Sequence, residues 1–378
     1  MIKPMRRDAR IAIIGGSLVG PLAELLFRRE GFTNVTTFEA ARAARPQSGG
    51  IIGIQEWNAK VINSVGVPTE EITAYPGAEV TTYDLKNARV ERMRDTRMYE
   101  GVNSAWDLFH HAVASRVNIR YGHKATGIRP SPGGAVVEFA NGTAAEFDLV
   151  IFADGRKSTG RALLCKSRNL TYTGYVLWRG LREHIGRTPV GFERYRDDAA
   201  GVLFSVTEPI RRGNHTGESD WTLYHNLSEA EYARMAGALP SERAFMLPTH
   251  MTPRAHHIMC TVAARYLPER FSEMVQTTRQ IMAVPMNDVP FPKRAAFPVG
   301  TGYAVLVSDA LVSVRPHAAR GVNNGIEQVS ALARSLADGS EVQASLGAWE
   351  ETILAPLPEW IDLGVARAQR NRLGVDTV

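Results

Sequence analysis

The residues of this chain whose types and spacing suit chemistry begin at a glycine turn. Gly15-Gly16-Ser17-Leu18-Val19-Gly20 follows the β-branched run Ile11 to Ile14 and opens a helical stretch with apolar Leu22, Leu25, Leu26 and Phe27, ended by Gly31. Gly15 and Gly20 hold the first and third glycine positions of G-x-G-x-x-G, and Ser17 holds the second. A helix start presents unpaired N–H groups and a partial positive charge, so a pyrophosphate docks there if the backbone lets it approach. Val35 to Phe38 reads as the next strand. Glu39 closes it, 39 − 20 = 19 residues beyond Gly20, where a carboxylate can accept hydrogen bonds from a ribose diol. An acid there suits FAD or NAD and disfavours NADP at this site. The glycines alone are equally compatible with a purely structural turn. Strand, turn, helix, strand and acid together make a dinucleotide-binding βαβ unit.

Two later segments choose among nucleotides. Asp148 to Phe152, continuing through Ala153-Asp154-Gly155 to Ser158 and Arg161, resembles the GADGxxSxxR segment of the class A FAD-dependent aromatic-ring monooxygenases, the para-hydroxybenzoate hydroxylase-like family. Gly302 to Ser308-Asp309-Ala310, continuing through Arg315-Pro316-His317 to Gly321-Val322-Asn323 and Gly325, resembles that family's GDAxHxxxPxxGxGxNxGxxD segment. The three motifs stand in the family's order and at its usual separations, so the resemblance covers essentially the whole chain. Gly174-Tyr175 through Trp178-Arg179-Gly180, with the Arg-Pro-His-Ala-Ala run, looks most like the dihydroxypyridine hydroxylases within it.

The resemblance implies a cycle. NAD(P)H, a transient co-substrate without a second glycine fingerprint, reduces FAD; dioxygen then gives a flavin hydroperoxide, which hydroxylates a small phenolic or N-heteroaromatic substrate. It also implies a cofactor set: Gly15, Gly16, Ser17, Leu18, Gly20, Glu39, Asp154, Ser308, Asp309, Gly321, Val322 and Asn323. Asp309, at a strand end, suits ribityl hydroxyls or a phosphate-bound water, with helix capping as its plainer reading. The N–H groups of the Gly321-Val322-Asn323 helix start can face the pyrimidine edge of the flavin and stabilise the charge of its reduced form. Asp154 and Arg161 belong to a segment that is largely structural in the family.

His317, just before that helix start, is the leading catalytic candidate, placed to contact substrate beside the ring. Pro316, Tyr175, Tyr224 and His225 are substrate candidates. Period-2 alternation separates Trp221, Leu223 and His225 from Thr222 and Tyr224 without saying which face meets the chamber. Tyr83, Trp178 and Arg179 suit a pocket or sheet packing. Departures from the family are also visible. Ser17, Phe152 and Ser308 replace glycines, and Arg320 and Gln328 replace a common Gln and Asp. Helix 104–111 lacks the arginine that many relatives use near the FAD phosphates. Loosely held FAD is one consequence to expect.

The bulk composition fits an enzyme of this kind. The chain has 378 residues, 44% hydrophobic and 22% charged, enough for two packed domains. Its +5 charge is spread without a Lys/Arg block, which suits anionic ligands better than nucleic acid. Cys165 and Cys260 show no CxxC spacing, and His110-His111 and His256-His257 lack partners at ligand spacing, so neither disulfides nor a metal site is expected. No apolar run approaches membrane length. The expectation is a soluble cytoplasmic protein, monomer or homodimer, without a membrane partner.

The expected fold is α/β: a Rossmann-like FAD-binding domain from 1–73, 104–167 and 292–342, with a mixed β-sheet substrate domain from 74–103 and 168–291. One C-terminal helix should lie over both within 343–378. Three rival readings remain open at this point. One is a Baeyer–Villiger or ring-opening flavin monooxygenase acting on a biosynthetic heterocycle. The others are a plain NAD-dependent dehydrogenase and a non-catalytic relative with weakened FAD binding.

Overall fold

The computed structural model describes residues 4–44, 50–77, 79–84, 101–166, 170–183, 187–197, 199–242 and 245–374, with the backbone alone over 90–94. Strand β1 (Ile11–Ile14) is buried on both faces, so it reads as a continuous apolar run. Helix α1 (Val19–Arg29) follows it, burying Leu22, Ala23, Leu26 and Phe27 on one stripe, and leads to β2 (Val35–Phe38). The chain continues through β3 (Ile51–Ile54), α2 (Glu56–Asn63), α3 (Thr69–Ile72), β4 (Thr73–Tyr75), β5 (Glu79–Asp84), β6 (Val90–Arg94), β7 (Val102–Ala105) and α4 (Trp106–Ala114). Next come β8 (Ala125–Ser131), β9 (Gly134–Phe139), β10 (Ala144–Phe147), β11 (Leu149–Phe152) and α5 (Thr159–Leu164).

Strands β12 (Thr171–Glu183), β13 (Phe192–Asp197), β14 (Val202–Thr207) and β15 (Glu218–Asn226) precede α6 (Glu229–Ala236), α7 (Pro253–Tyr266), α8 (Glu269–Thr277) and β16 (Ile281–Asp288). The chain closes with β17 (Ala296–Val299), β18 (Gly302–Leu306), α9 (Gly321–Ala337), α10 (Val342–Leu354) and α11 (Leu357–Arg370).

The nucleotide-type sheet has the order β17-β18-β11-β1-β2, parallel except for the β17–β18 pair. Strand β1 sits between β2, its successor, and β11, reached after more than a hundred residues. Ligands of open parallel sheets bind beyond the carboxyl ends of the strands at such a reversal of order. A seven-stranded sheet, β16-β12-β15-β14-β13-β5-β6, is antiparallel apart from β13 and β5. Strand alternation gives it two distinct faces. Val176, Trp178, Phe204, Trp221 and Leu223 pack under α7 and α8 against Met259, Phe271 and Met274. Tyr175, Leu177, Leu203 and Tyr224 pack on the other face with Ala368 of α11 and Leu373.

Two sequence expectations change. The terminal segment is two helices, because Pro356 lies between them and a proline inside a helix loses an N–H bond and crowds the preceding turn. Residues 117–121, expected as a strand, contribute only a bridge from Arg120 to Phe38. Asn87, expected at a hairpin turn between the segments that form β5 and β6, lies outside the described residues.

A buried ion pair joins the two parts. Asp220 on β15 accepts from Arg179 Nε at 2.9 Å and from Arg179 Nη2 at 2.7 Å, and it also accepts from the Ile51 N–H at 3.1 Å. Arg179 donates in turn to the Ile51 carbonyl at 3.1 Å. Its guanidinium fills the space a side chain at residue 50 would need, since a Cβ on Gly50 would lie 1.2 Å from Arg179 Cζ. Removing one partner of such a pair strands the other charge, so Asp220→Ala should cost about 3–5 kcal/mol of stability. Urea unfolding checks this, and an unchanged midpoint would show that the clamp contributes nothing.

Candidate cofactor cleft and active site

A cleft of about 670 Å3 opens at the carboxyl end of β1. Its first stretch is lined by Gly15 to Val19, Glu39, Ala40, Ala41, Tyr121, His123 and Lys124. It continues past Ala153 to Lys157 and past Ser308, Asp309, Gly321 and Val322 to an end walled by Gly50, Ile52, Arg179, Phe245, Leu247 and Met282. All the residues expected to bind FAD except Gly20 and Asn323 line this one cleft.

The glycine turn has no spare room. Gly15 has φ +121°, and a Cβ on it would lie 2.4 Å from the Ala153 carbonyl; a Cβ on Gly20 would lie 1.8 Å from the Gly15 carbonyl. Both positions therefore require glycine. Gly16 donates its N–H to Glu39 at 2.7 Å, and the other carboxylate oxygen of Glu39 accepts from Ala41 N–H at 2.7 Å. Glu39 thus fixes the turn to the end of β2 while facing the cleft. Neither α1 nor α9 has a side-chain cap, and neither has an acidic residue in its first turn. Both helix starts border the cleft. Two uncapped positive helix ends and a side-chain-free cradle fit the phosphates and electron-rich pyrimidine edge of a flavin dinucleotide.

Several expected contacts turn out to be scaffold. The Asp154 carboxylate is engaged by Ser158 Oγ and by the N–H groups of Thr159 (2.7 Å) and Gly160 (3.3 Å), which anchors the start of α5. Burial raises its pKa. Arg161 is buried and donates to the Asp309 and Ala310 carbonyls at 3.1 and 2.9 Å, so it holds the 308–310 turn from outside the cleft. Asp309 does face the cleft; burial raises its pKa against the opposing pull of Arg156, Ser313 and Arg161.

Ser308 adopts φ +57°, a left-handed conformation suited to the glycine it replaces. Its N–H is not free for a ligand, because it donates to Gln328 Oε1 at 2.6 Å. Its side chain lies against Gly325, where an added Cβ would come within 2.9 Å of Ser308 Oγ. The two departures at 308 and 328 therefore touch one another. Asn323 is fully buried away from the cleft. Its amide donates to Gly53 and Ala319 carbonyls at 2.9 and 3.0 Å, and its oxygen accepts from Gln55 N–H and Asn58 Nδ2 at 3.0 and 2.8 Å. The side chain braces α9 on β3 and α2 and is not a ligand contact.

The substrate-side expectations divide. His317 stands outside the cleft lining, its Nε2 3.2 Å from the Tyr175 hydroxyl and its ring 4.9 Å from that of Tyr224. Burial, together with Arg194, Arg315 and Arg367, pushes its pKa down to about 3, so the imidazole is neutral. Pro316 is exposed and likewise outside the lining. Tyr175 and Tyr224 lie on the sheet face that carries Arg179, as alternation along β12 and its register with β15 require, but both are buried in the cluster under α11 and neither lines the cleft. His225 is on the other face, 5% exposed and stacked on Trp178 with ring centroids 6.1 Å apart. It is a core residue, and burial pushes its pKa down to about 4. Trp178 is core as well, and Tyr83 stacks on Tyr195 at 4.7 Å.

Sequence reasoning missed part of the wall. Tyr121, His123 and Lys124 join the Glu39 end because Arg120 and Glu39 exchange backbone hydrogen bonds with the segments beside them. Phe245, Leu247 and Met282 close the far end, and no local pattern announces them. Trp106 and His110 were findable: they are four apart on α4 and so share a face. Their rings stack at 4.5 Å, and His110 Nε2 lies 3.0 Å from the Gly16 carbonyl. Among the described residues no helix is long and apolar enough to cross a membrane, and no group of three His, Cys, Asp or Glu residues could hold a metal ion.

No family model matches the chain. Full-length relatives do. It is 26% identical over 364 residues to a 2,6-dihydroxypyridine 3-monooxygenase of Paenarthrobacter nicotinovorans, covering 90% of this chain and 86% of that one. It is 25% identical over 369 residues to an aurachin C monooxygenase/isomerase of Stigmatella aurantiaca, covering 92% and 85%. The fold is that of 2,6-dihydroxypyridine-3-hydroxylase from Arthrobacter nicotinovorans, with a TM-score of 0.84 at 20% identity over 98% of this chain and 94% of that one. It is also that of Klebsiella pneumoniae HpxO complexed with FAD and uric acid, at 0.76 and 16% over 97% and 89%. A cradle shaped for a dinucleotide, the shared architecture and relatives matched along most of their length lead to one assignment: the chain is an FAD-dependent monooxygenase, and its homologues are FAD-dependent aromatic monooxygenases.

Proposed function

We propose that the enzyme uses NAD(P)H and dioxygen to hydroxylate a small phenolic or N-heteroaromatic substrate, held in FAD's cleft at its Arg179 end. The observation that carries this reading is the continuity of that cleft. It runs from Glu39, past two uncapped helix starts, to a terminus walled by Gly50, Ile52, Leu247 and Met282. Bound there and reduced by NAD(P)H, FAD would supply the activation of dioxygen. The protein's own work is placement and exclusion of water. The start of α9, with Gly321 and Val322 on the wall, favours negative charge next to it. Ile52, Leu247 and Met282 give a ring apolar contact, while Phe245, 46% exposed, borders the mouth.

Arg179, held in orientation by Asp220, puts a fixed positive charge at the substrate end. A nearby cation favours the ionised form of a phenolic hydroxyl and so makes its ring more electron-rich. The proposal leaves His317 out of the chemistry and assigns it to packing between Tyr175 and Tyr224.

Two experiments test this reading. Purified protein reconstituted with FAD should show a flavin absorption spectrum after excess cofactor is removed. With phenols or N-heterocycles it should consume NAD(P)H and place one atom of labelled dioxygen on an intact ring. A ring-inserted or ring-opened product would establish the Baeyer–Villiger reading instead, and a protein that refuses FAD would end the catalytic one. Glu39→Ala should weaken FAD binding by about 1–3 kcal/mol, the cost of ribose groups left without partners. Equilibrium titration measures it, and an unchanged affinity would place the ribose elsewhere.

A further inference from the structure

Helix α4 lacks the arginine expected beside the cofactor phosphates, yet it does not leave that wall of the cleft bare. Trp106 and His110 both line it. The His110 ring is parallel to Trp106 within 10°, with centroids 4.5 Å apart, and its Nε2 meets the carbonyl of Gly16 at 3.0 Å. A carbonyl only accepts, so Nε2 carries the hydrogen and Nδ1 is the atom that takes a second proton. The ring is thus fixed on two sides, against the glycine turn whose N–H groups would receive a pyrophosphate.

We propose that His110 is the cation that meets the FAD pyrophosphate, with Trp106 orienting its ring, so that binding the cofactor takes up a proton. This rests on the FAD assignment and adds a residue and a pH dependence to it. The charged groups around His110 are few. Glu39 faces it from the end of β2, and His111 adjoins it on α4 itself. The glycine turn brings only the Gly16 carbonyl. His123 and Lys124 line the same cleft from the segment beside β2, and Arg156 and Lys157 line it from the loop after β11. The lysines and arginines keep their charge across the neutral range, so among the cations of this wall only a histidine can change its charge with pH there.

The sign follows from linkage. In the free protein, burial holds the pKa of His110 below its ordinary value, against smaller upward pulls from the Gly16 carbonyl and Glu39. A bound pyrophosphate favours the imidazolium and raises the pKa. Affinity for FAD therefore increases as pH falls through the bound-state pKa and levels off below the free-state pKa. Between them the slope approaches at most about tenfold per pH unit for one proton.

The experiment is titration of the apoprotein with FAD and separately with riboflavin, followed by flavin fluorescence between roughly pH 5.5 and 8.5, a range that brackets histidine. Wild-type protein should bind FAD more tightly at low pH, while riboflavin, which has no pyrophosphate, shows no such slope. His110→Gln should lose the slope and bind FAD weakly throughout. His110→Lys should lose the slope but keep the affinity, which a merely structural role for the ring would not allow. Circular dichroism of both variants checks folding, and if His110→Gln does not fold, His110→Lys carries the same test, because its charge does not titrate in this range. A flat wild-type profile, or a slope that survives in His110→Gln, overturns the proposal and leaves the FAD assignment intact. A wild-type protein that binds no FAD at any pH overturns both.

Discussion

The structure depends on a backbone contact too close for any side chain. Strands β1 and β11 run parallel in register, Ile14 beside Phe152, and the turns that follow them bring Gly15 against the Ala153 carbonyl. The helix beginning at Val19 can then start directly over the ends of these strands. Because α1 spends no side chain on capping itself, its first N–H groups remain available to the cleft. Glu39 reaches back from β2 to the Gly16 N–H, so three strand ends are tied around one anion-binding point. A side chain at Gly15 or Gly20 would separate them, and helix, acid and second turn would lose their common focus.

Around that point the protein places charge sparingly and pairs it. Asp154 secures α5, Arg161 secures the 308–310 turn, and Arg320 ties α9 to Gln55 at 2.7 Å and to Asn324 at 2.9 Å. Asp154 and Arg161 belong to one motif, yet Arg161 bonds to backbone from outside the cleft while Asp154 both anchors α5 and lines the cleft. The pair at 308 and 328 shows the same economy. Serine in a left-handed conformation is strained by about 1 kcal/mol or more, and its captured N–H is the compensating contact. At this turn Asp309 lines the cleft, while the Ser308 N–H is already engaged by Gln328.

The junction between the two sheets sets the other end of the cleft. Arg179 and Asp220 sit on neighbouring strands of the substrate sheet, and both bond to Ile51 at the start of β3. Gly50 leaves the space the guanidinium needs. One buried pair thereby ties the start of β3 to the seven-stranded sheet and sets a guanidinium on the cleft wall. His225, on the opposite face of the same strand as Tyr224, shows how strand alternation divides the two cores packed on this sheet.

By itself the sequence determined what is local. The βαβ unit, Glu39 at its end, the helix from Gly321 to Ala337 and the motif order were all legible, because each depends on spacing along a few turns or one strand. The expectation of two domains, one built around a nucleotide-binding sheet, rests on the same patterns. Only the tertiary structure decided which motif residues face a ligand. Asn323 and Arg161 turn away from the cleft because distant segments, β3 and the 308–310 turn, need their hydrogen bonds more than a cofactor does. Only it could show that the face carrying Arg179 and Met282, and not the His225 face, borders the cleft, since alternation is symmetric until a second layer covers one side. It also brought His110, from a helix nearly a hundred residues on, against Gly16. Such contacts are set by how the layers pack, and no spacing in the chain encodes them.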